Sequence, residues 1–265
     1  MLIIGEKING MFKKIRAAIA SKDKGIIQEM AKKQIECGAE VLDVNVGPAS
    51  TDPLSDMAWL VETIREVTDI PLAIDTTKPE VMDKGLSLAG TGSFLNSVHC
   101  EEEKMSSLFP IAKKHQSKVI ALTMSKSGVP PNAEARMELS AQLVAKAMEY
   151  GIDTSDLYID AVILPVNLPD IHAPAVLETI RQVKIISDPP PKTILGLSNV
   201  SQGTKERALI DRTFLVMAVY AGLDSAILNP LDKDLINAMI TAEMILGKNI
   251  YCDSFLDAYF KGRSR

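Results

Sequence analysis

The stretch VLDVN at residues 41–45 is apolar except for a carboxylate and an amide, Asp43 and Asn45, and a turn and a helical pattern follow it. Four other segments run apolar and end in the same way: LAID on Asp75, FLN on Asn96, LYID on Asp160 and ILGLSN on Asn199. Parallel strands all end on one face of a sheet, so these side chains are expected to converge on one mouth. The pattern predicts an enzyme site for a small polar ligand.

Short apolar runs alternate with amphipathic stretches along the chain, which predicts an α/β fold, a (β/α)8 barrel formed by a single domain over residues 1–265. The alternative is a doubly wound open sheet. It is less favoured because polar strand ends occur along nearly the whole chain, not at one switch point. The candidate strands are 2–5, 40–45, 71–75, 93–97, 118–123, 156–161, 193–198 and 225–228.

Composition argues against several classes of function. The net charge of −5 disfavours a nucleic-acid-binding protein. The first residues, MLIIGEKIN, lack the features of a signal peptide, and no run approaches the roughly 18 apolar residues of a membrane span, so a soluble, cytoplasmic protein is expected. No protein-bound metal is expected, because the cysteines and histidines lack ligand spacing: Cys37, Cys100, Cys252, His99, His115 and His172.

Polar residues ahead of a helix often cap it, and this alternative competes with a binding role. Residues 77–80, TKPE, have the pattern of a capping box, which would leave Asp75 without a capping duty. Thr204 is a better predicted cap for the next helix than Asn199, and no helix start follows Asp160 at once. The binding interpretation is therefore favoured.

The residue types suggest which ligand such a mouth would hold. A pterin ring presents an N3–H and a 2-amino group side by side, and one carboxylate can accept from both. An amide offers both a donor and an acceptor to the remaining ring nitrogens. A phosphate would instead need arginine, lysine or a glycine-rich helix start. Carboxylates and amides therefore favour a neutral, donor-rich heterocycle.

The motifs together resemble a known family, the pterin-binding methyltransferases. The resemblance is closest to the methyltetrahydrofolate:corrinoid/iron–sulfur protein methyltransferases of the reductive acetyl-CoA (Wood–Ljungdahl) pathway, and it covers essentially the whole chain. It implies a TIM barrel that forms a homodimer. Residues 98–100, Val-His-Cys, depart from the family pattern, so no role is carried over to them. The matching motifs are GEKIN at 5–9, GAEVLDVNVGP at 38–48, AIDTTKPEV at 73–81, LNS at 95–97, LYIDAVILP at 157–165 and LGLSNVSQG at 195–203.

The same resemblance implies a role for each candidate residue. Asp75, Asn96 and Asp160 would bind the pterin ring, and Asp160 would take N3–H and the 2-amino group. Asn199 would reach N5, the methyl-bearing nitrogen, and be catalytic. Because an amide cannot hold a proton as a general acid does, our hypothesis is that Asn199 stabilises the amine while the proton comes from solvent. Four further residues are expected around the pocket: Asp43 and Asn45 near the ring, and Gln202 and Arg207 at the rim.

The reaction implied by the resemblance moves the N5-methyl group of 5-methyltetrahydrofolate to the cob(I)amide of a separate, transiently bound corrinoid/iron–sulfur protein. His172 lies in a segment close to the Asp-x-His-x-x-Gly corrinoid motif, but the glycine is missing, so the cobamide is expected on the partner. Loops 47–53, 125–132 and 164–174 are candidate docking elements. Two alternatives stay open: a non-catalytic methyltetrahydrofolate-binding module, and a related corrinoid methyltransferase with another methyl donor.

Overall fold

Eight parallel strands close into a barrel in which each strand pairs with the next and β8 pairs with β1. The computed structural model describes residues 1–170 and 172–263; Ile171 of the predicted docking loop and the last two residues lie outside this description. The strands are β1 (Leu2–Asn9), β2 (Val41–Asn45), β3 (Leu72–Asp75), β4 (Phe94–His99), β5 (Lys118–Leu122), β6 (Leu157–Asp160), β7 (Lys192–Gly196) and β8 (Ser225–Leu228).

Helices surround the barrel and connect its strands. Two of them follow β1, one follows each later strand, and one more ends the described chain. They are α1 (Lys13–Ser21), α2 (Lys24–Glu36), α3 (Pro53–Arg65), α4 (Pro79–Ala89), α5 (Glu102–His115), α6 (Ala133–Glu149), α7 (Ala173–Val183), α8 (Arg207–Ala221), α9 (Lys233–Ile245) and α10 (Phe255–Arg263). The predicted (β/α)8 barrel is confirmed. In the described part of the chain, no helix combines the length and the apolarity needed to cross a membrane.

Strand β1 runs four residues beyond the predicted segment 2–5, and an irregularity explains why its pattern is hard to read. The pairing with β2 shifts register between Gly5 and Ile8. Buried Gln34 of α2 accepts a hydrogen bond from the backbone N–H of Lys7, with its Oε1 atom at 2.9 Å. A Cβ atom on Gly5 would lie 2.5 Å from the same Oε1, so glycine makes room for the glutamine.

The predicted helix caps are wrong at two positions. Helix α4 starts at Pro79 after Lys78, and helix α8 starts at Arg207 after Glu206; neither has a side-chain cap. Instead, Thr204 donates its hydroxyl to the Ser201 carbonyl at 2.7 Å. Proline fixes φ at the start of α4 and lacks an N–H, so this first turn needs one donor fewer to be capped.

Two layers of side chains fill the barrel, because alternate strand residues point inward. The lower layer is buried and almost wholly apolar: Ile4, Val41, Ala73, Phe94, Ile120, Tyr158 and Ile194. Two residues further along the same strands, the upper layer is mostly polar: Glu6, Asp43, Asp75, Asn96, Leu122, Asp160 and Gly196. The fold therefore brings four of the predicted site residues into one layer at the carboxyl ends of the strands.

Candidate functional site

A cavity of about 510 Å³ opens above the upper layer, at the carboxyl ends of the strands. Five of the eight predicted site residues line it: Asp43, Asp75, Asn96, Asn199 and Arg207. The other three, Asn45, Asp160 and Gln202, lie outside the lining, and their surroundings are described below. A volume of this size is typical of pockets that hold a small molecule.

Two hydrogen bonds between side chains order the floor of the cavity. The Nδ2 atom of Asn96 donates to Oδ1 of buried Asp43 at 2.9 Å. The Nδ2 atom of Asn45 donates to Oδ2 of Asp75 at 2.6 Å, while Oδ1 of Asn45 accepts from the Gly47 backbone N–H at 2.6 Å. Each amide is thereby fixed in orientation. Within the part of the chain that the structure describes, Oδ1 of Asn96 and Oδ1 of Asp75 accept no hydrogen bond, so they remain as acceptors for a ligand.

The two floor carboxylates are electrostatically unfavourable in their charged forms. Burial and the nearby charge of Asp75 raise the pKa of Asp43 well above its ordinary value, although the hydrogen bond from Asn96 opposes this. Burial likewise raises the pKa of Asp75, against the hydrogen bond from Asn45. A ligand that presents N–H donors here would stabilise the carboxylates through charge-assisted hydrogen bonds.

Asp160 ends β6 and belongs to the same layer, but it is buried rather than part of the cavity lining. Its Oδ1 accepts from the Val162 backbone N–H at 2.7 Å. Burial raises the pKa of Asp160 to about 6, even though hydrogen bonds from the backbone of Val162 and Gly196 favour the charged form. The carboxylate is therefore held in place by the chain that directly follows it.

Asn199 does not end a strand as predicted, because β7 stops at Gly196 and residues Leu197–Asn199 form one 3-10 turn. The turn exposes the side chain at the mouth. Its Nδ2 atom would lie 3.0 Å from a Cβ atom on Gly196, so the amide sits directly over the glycine. No hydrogen bond to this amide occurs within residues 1–170 and 172–263, which leaves both of its polar atoms for a ligand.

The two predicted rim residues differ in position. Arg207, at the start of α8, lines the cavity and donates to Oγ of Ser201 at 3.1 Å and to the Ser198 carbonyl at 3.2 Å. Gln202 is exposed and outside the lining; its backbone N–H donates to the Asn199 carbonyl at 3.2 Å. Arg207 thus braces the turn that carries Asn199.

Glu6 lines the cavity although the sequence pattern did not single it out. Its carboxylate accepts from Oγ of Ser198 at 2.7 Å and from Nζ of Lys7 at 3.0 Å. Its position two residues after inward-facing Ile4 could have indicated it. Asp211 and Asp232 also line the cavity, at α8 and just before α9, and no strand pattern points to them.

The departures from the family pattern and the candidate metal ligands lie apart from this cavity. Residues 98–100 are not part of its lining. His172 precedes helix α7, and its Nδ1 atom lies 2.9 Å from an Nη2 atom of Arg136. Within the described ranges, no cluster of three or more histidine, cysteine, aspartate or glutamate residues is arranged to hold a metal ion.

The known proteins that resemble this chain agree with one another in pointing to a single family. The profile of the family described as pterin binding enzymes matches residues 13–229. A methylcorrinoid:tetrahydrofolate methyltransferase from Eubacterium limosum is 29% identical over 268 aligned positions, which cover 99% of this chain and 97% of the relative. Methionine synthase from Mycobacterium tuberculosis is 29% identical over 86% of this chain, but the match covers only 20% of that larger protein.

Solved structures share the fold at lower identity. The Yersinia pestis DHPS in complex with a pterine-sulfa conjugate superposes with a TM-score of 0.70 at 15% identity, over 94% of both chains. A dihydropteroate synthetase with a bound product gives a TM-score of 0.68 at 17% identity, over 93% of this chain and 94% of the other. These similarities establish the barrel architecture.

Proposed function

Because this chain belongs to the pterin-binding enzyme family, we propose that it is a methyltransferase that moves a methyl group between N5 of tetrahydrofolate and the cobalt of a corrinoid on another protein. The observation that carries the proposal is the exposed amide of Asn199, without a hydrogen-bond partner among the described residues, above a floor of carboxylates and amides. The full-length similarity to the Eubacterium limosum enzyme supports it.

In this proposal the floor of the cavity binds the pterin ring. Asp75, which accepts from Asn45, and Asn96, which donates to Asp43, each have an acceptor atom left over, and the ring offers N–H donors to meet them. Asp160 takes N3–H and the 2-amino group, which requires the ring to reach a buried carboxylate outside the cavity lining. Hydrogen bonds from the ring to these carboxylates are charge-assisted, and so are shorter and stronger than bonds between neutral groups.

Asn199 acts at N5, where the methyl group is carried. A methyl group on a tertiary amine is a poor electrophile, because the departing nitrogen would leave as an anion unless it is protonated or strongly hydrogen-bonded. A contact that tightens as charge develops at N5 lowers the barrier without tightening ground-state binding. The Asn199 amide can donate or accept at N5 but cannot deliver a proton, so the proton comes from solvent.

The proposal also includes a direction of methyl transfer and a corrinoid partner protein. Transfer from 5-methyltetrahydrofolate to the cob(I)amide of a corrinoid/iron–sulfur protein is the reaction that the motif resemblance implies. The name of the Eubacterium limosum relative states the opposite direction, from a methylcorrinoid to tetrahydrofolate. One catalyst accelerates both directions of one equilibrium, so the same residues serve either. That name also favours a second candidate, a corrinoid partner charged from a different methyl donor.

A transient corrinoid partner and a stable second copy need different surfaces. The partner would dock at the open mouth, and loops 47–53, 125–132 and 164–174, which follow strands β2, β5 and β6, remain the candidate docking elements. We propose the homodimer interface on helix α8, away from the floor. Its exposed apolar side chains follow helical spacing and include Leu209, Val216, Met217 and Tyr220.

The test mixes the protein with 5-methyltetrahydrofolate and cob(I)alamin under anaerobic reducing conditions and follows the cobalt spectrum. Protein-dependent formation of methylcobalamin is expected, and its reversal is expected when methylcobalamin and tetrahydrofolate are supplied. Asn199→Ala should lower the rate of this transfer sharply. Its matched control is Asn249→Ala, since this asparagine is exposed and lies after α9, away from the mouth. Folate binding with no transfer in either direction, to free or protein-bound corrinoid, would favour the non-catalytic binding module.

A further inference from the structure

Arg136 of helix α6 is completely buried, and its guanidinium joins two loops at the carboxyl end of the barrel, the one before α6 and the one between β6 and α7. Nε donates to the Pro130 carbonyl at 2.8 Å, and Nη2 lies 2.9 Å from Nδ1 of His172. Nη1 donates to the carbonyls of Ala161 and Val162, at 2.5 and 3.1 Å. The proposed function assigns no role to this residue.

The burial of this cation is costly and poorly compensated. Desolvation lowers the pKa of Arg136 to about 10, and the charge of Asp160 only partly opposes this. Among the ion pairs of the described residues, none involves Arg136, so neutral acceptors alone meet a buried charge. Buried charges without a paired ion are rare in proteins because they destabilise the fold, and a role in positioning a site is one reason to keep them.

The chain that Arg136 holds has an unusual conformation. Val162 has a φ of 55°, in the left-handed region that a β-branched residue strongly disfavours. In this conformation its N–H points back to Oδ1 of Asp160, at 2.7 Å, while its carbonyl accepts from Arg136. The guanidinium therefore binds the carbonyls of both Ala161 and Val162, in the turn that orients the Asp160 carboxylate.

We propose that Arg136 is a positioning residue for pterin binding: it holds the turn at Ala161 and Val162 so that Asp160 keeps its carboxylate oriented for the ring. This rests on the proposed function, in which Asp160 binds the pterin. Lysine keeps the charge at this position but lacks the planar fork that reaches several carbonyls at once. Arg136→Lys should therefore weaken folate binding through Asp160.

A matched control exists at the opposite end of the barrel. Arg65, at the end of α3, is half-buried, and burial lowers its pKa as it does for Arg136. It also donates to loop carbonyls, those of Thr68 at 3.2 Å and Ile70 at 2.7 Å. These loops lead into the amino end of β3, far from the cavity. Arg65→Lys should lower the melting temperature and leave the folate Kd within twofold.

The experiment measures the Kd of 5-methyltetrahydrofolate by titration calorimetry, with the melting temperature of each variant, for Arg136→Lys, Asp160→Asn and the double variant. Losing a hydrogen bond to a charged group is worth about tenfold or more in affinity, so each single variant should raise the Kd by about tenfold. The double variant should bind no more weakly than Asp160→Asn alone, because Arg136 acts through Asp160.

The outcomes separate the two proposals. An unchanged Kd in Asp160→Asn would overturn the assignment of Asp160 to the ring, and with it the inference about Arg136. A raised Kd in Asp160→Asn but not in Arg136→Lys, or additive losses in the double variant, would overturn the inference alone. If Arg136→Lys does not fold, His172→Ala removes one guanidinium partner instead, with an expected rise of about threefold that also disappears in the Asp160→Asn background.

Discussion

The barrel interior contains two layers of side chains, two residues apart on each strand, which differ in polarity. The lower layer is almost wholly apolar, and the upper layer is mostly polar. The lower layer packs apolar side chains, with the rings of Phe94 and Tyr158 edge to face at 5.0 Å between centroids. In the upper layer the same two strands carry Asn96 and Asp160, which are buried with their polar atoms. One layer lowers the free energy of the fold, and the other raises it.

This difference places the free-energy cost of the candidate site in the upper layer. Burying carboxylates without ion pairs costs free energy, and here burial raises the pKa of Asp43, Asp75 and Asp160 alike. Barrel enzymes place their chemistry at the carboxyl ends of the strands and leave stability to the other end. Substitutions should therefore separate cleanly into those that unfold the protein and those that disable the site.

The largest effect is expected from the lower layer. Phe94→Ala removes a fully buried ring and leaves a cavity, so the free energy of unfolding should fall by about 3–5 kcal/mol. Urea denaturation measures this change. The control is Tyr251→Ala, where the ring is 63% exposed and the expected change is within about 0.5 kcal/mol. A loss at Phe94 as small as the loss at Tyr251 would show that the lower layer is not the stabilising one.

A smaller effect, and one that depends on pH, is expected from Asp160 in the upper layer. Its pKa of about 6 in the folded protein lies above the ordinary value of 3.8. The folded state therefore binds more protons than the unfolded state between these two pH values, and stability falls as the pH rises through them, by up to roughly 3 kcal/mol. Urea denaturation at pH 4.5 and 7 should show this fall in the wild type and a shallower one in Asp160→Asn.

The control for this pH dependence lies outside the barrel interior. Hydrogen bonds from Lys114 and His115 lower the pKa of Asp83, so its contribution is present above its ordinary pKa and is lost as the pH falls. Asp83→Asn should therefore leave the slope between pH 4.5 and 7 almost unchanged, because the contribution of Asp83 is lost only below its ordinary pKa of 3.8. Equal slopes in the wild type and Asp160→Asn would contradict the raised pKa.

Substitutions in the upper layer and at the mouth above it should affect different quantities, folate affinity and transfer rate. Asn199→Ala should lower the rate of methyl transfer at saturating folate by about 10²-fold, with little change in the folate Kd, because the contact strengthens only as charge develops at N5. Asp75→Asn should instead raise the Kd by about tenfold, because it replaces a charge-assisted bond. Single-turnover kinetics and calorimetry separate the two effects. Equal losses of affinity in both variants would refute this division between binding and catalysis.

The sequence predicts the barrel well, because inward-facing positions repeat every second residue and the strand ends carry the polar groups. It identifies Asp43, Asp75 and Asn96 on that basis, and all three line the cavity. It misplaces the end of β7, since a 3-10 turn after Gly196 carries Asn199. A short turn of this kind depends on contacts with other segments, which periodicity does not reveal.

Other features could not be predicted because their partners are distant in sequence. The position of Glu6 in the upper layer follows from its spacing to Ile4, but its hydrogen bond with Ser198, 192 residues away, does not. Arg136 looks like an ordinary charged residue on a helix, and its burial arises only when two separate loops meet it. Long-range contacts of this kind leave no local pattern.

The smallest effect is expected from a neutral side chain that orients a carboxylate of the floor. Asn45 lies outside the cavity lining, and its amide links the Gly47 N–H to Oδ2 of Asp75. Asn45→Ala should raise the folate Kd by about three- to tenfold, because Asp75 keeps its charge but loses the bond that fixes its orientation. The transfer rate at saturating folate should stay within twofold. A loss of affinity larger than that of Asp75→Asn would instead make Asn45 a direct ligand of the ring, and the floor would then extend one residue pair further up the barrel than the lining indicates.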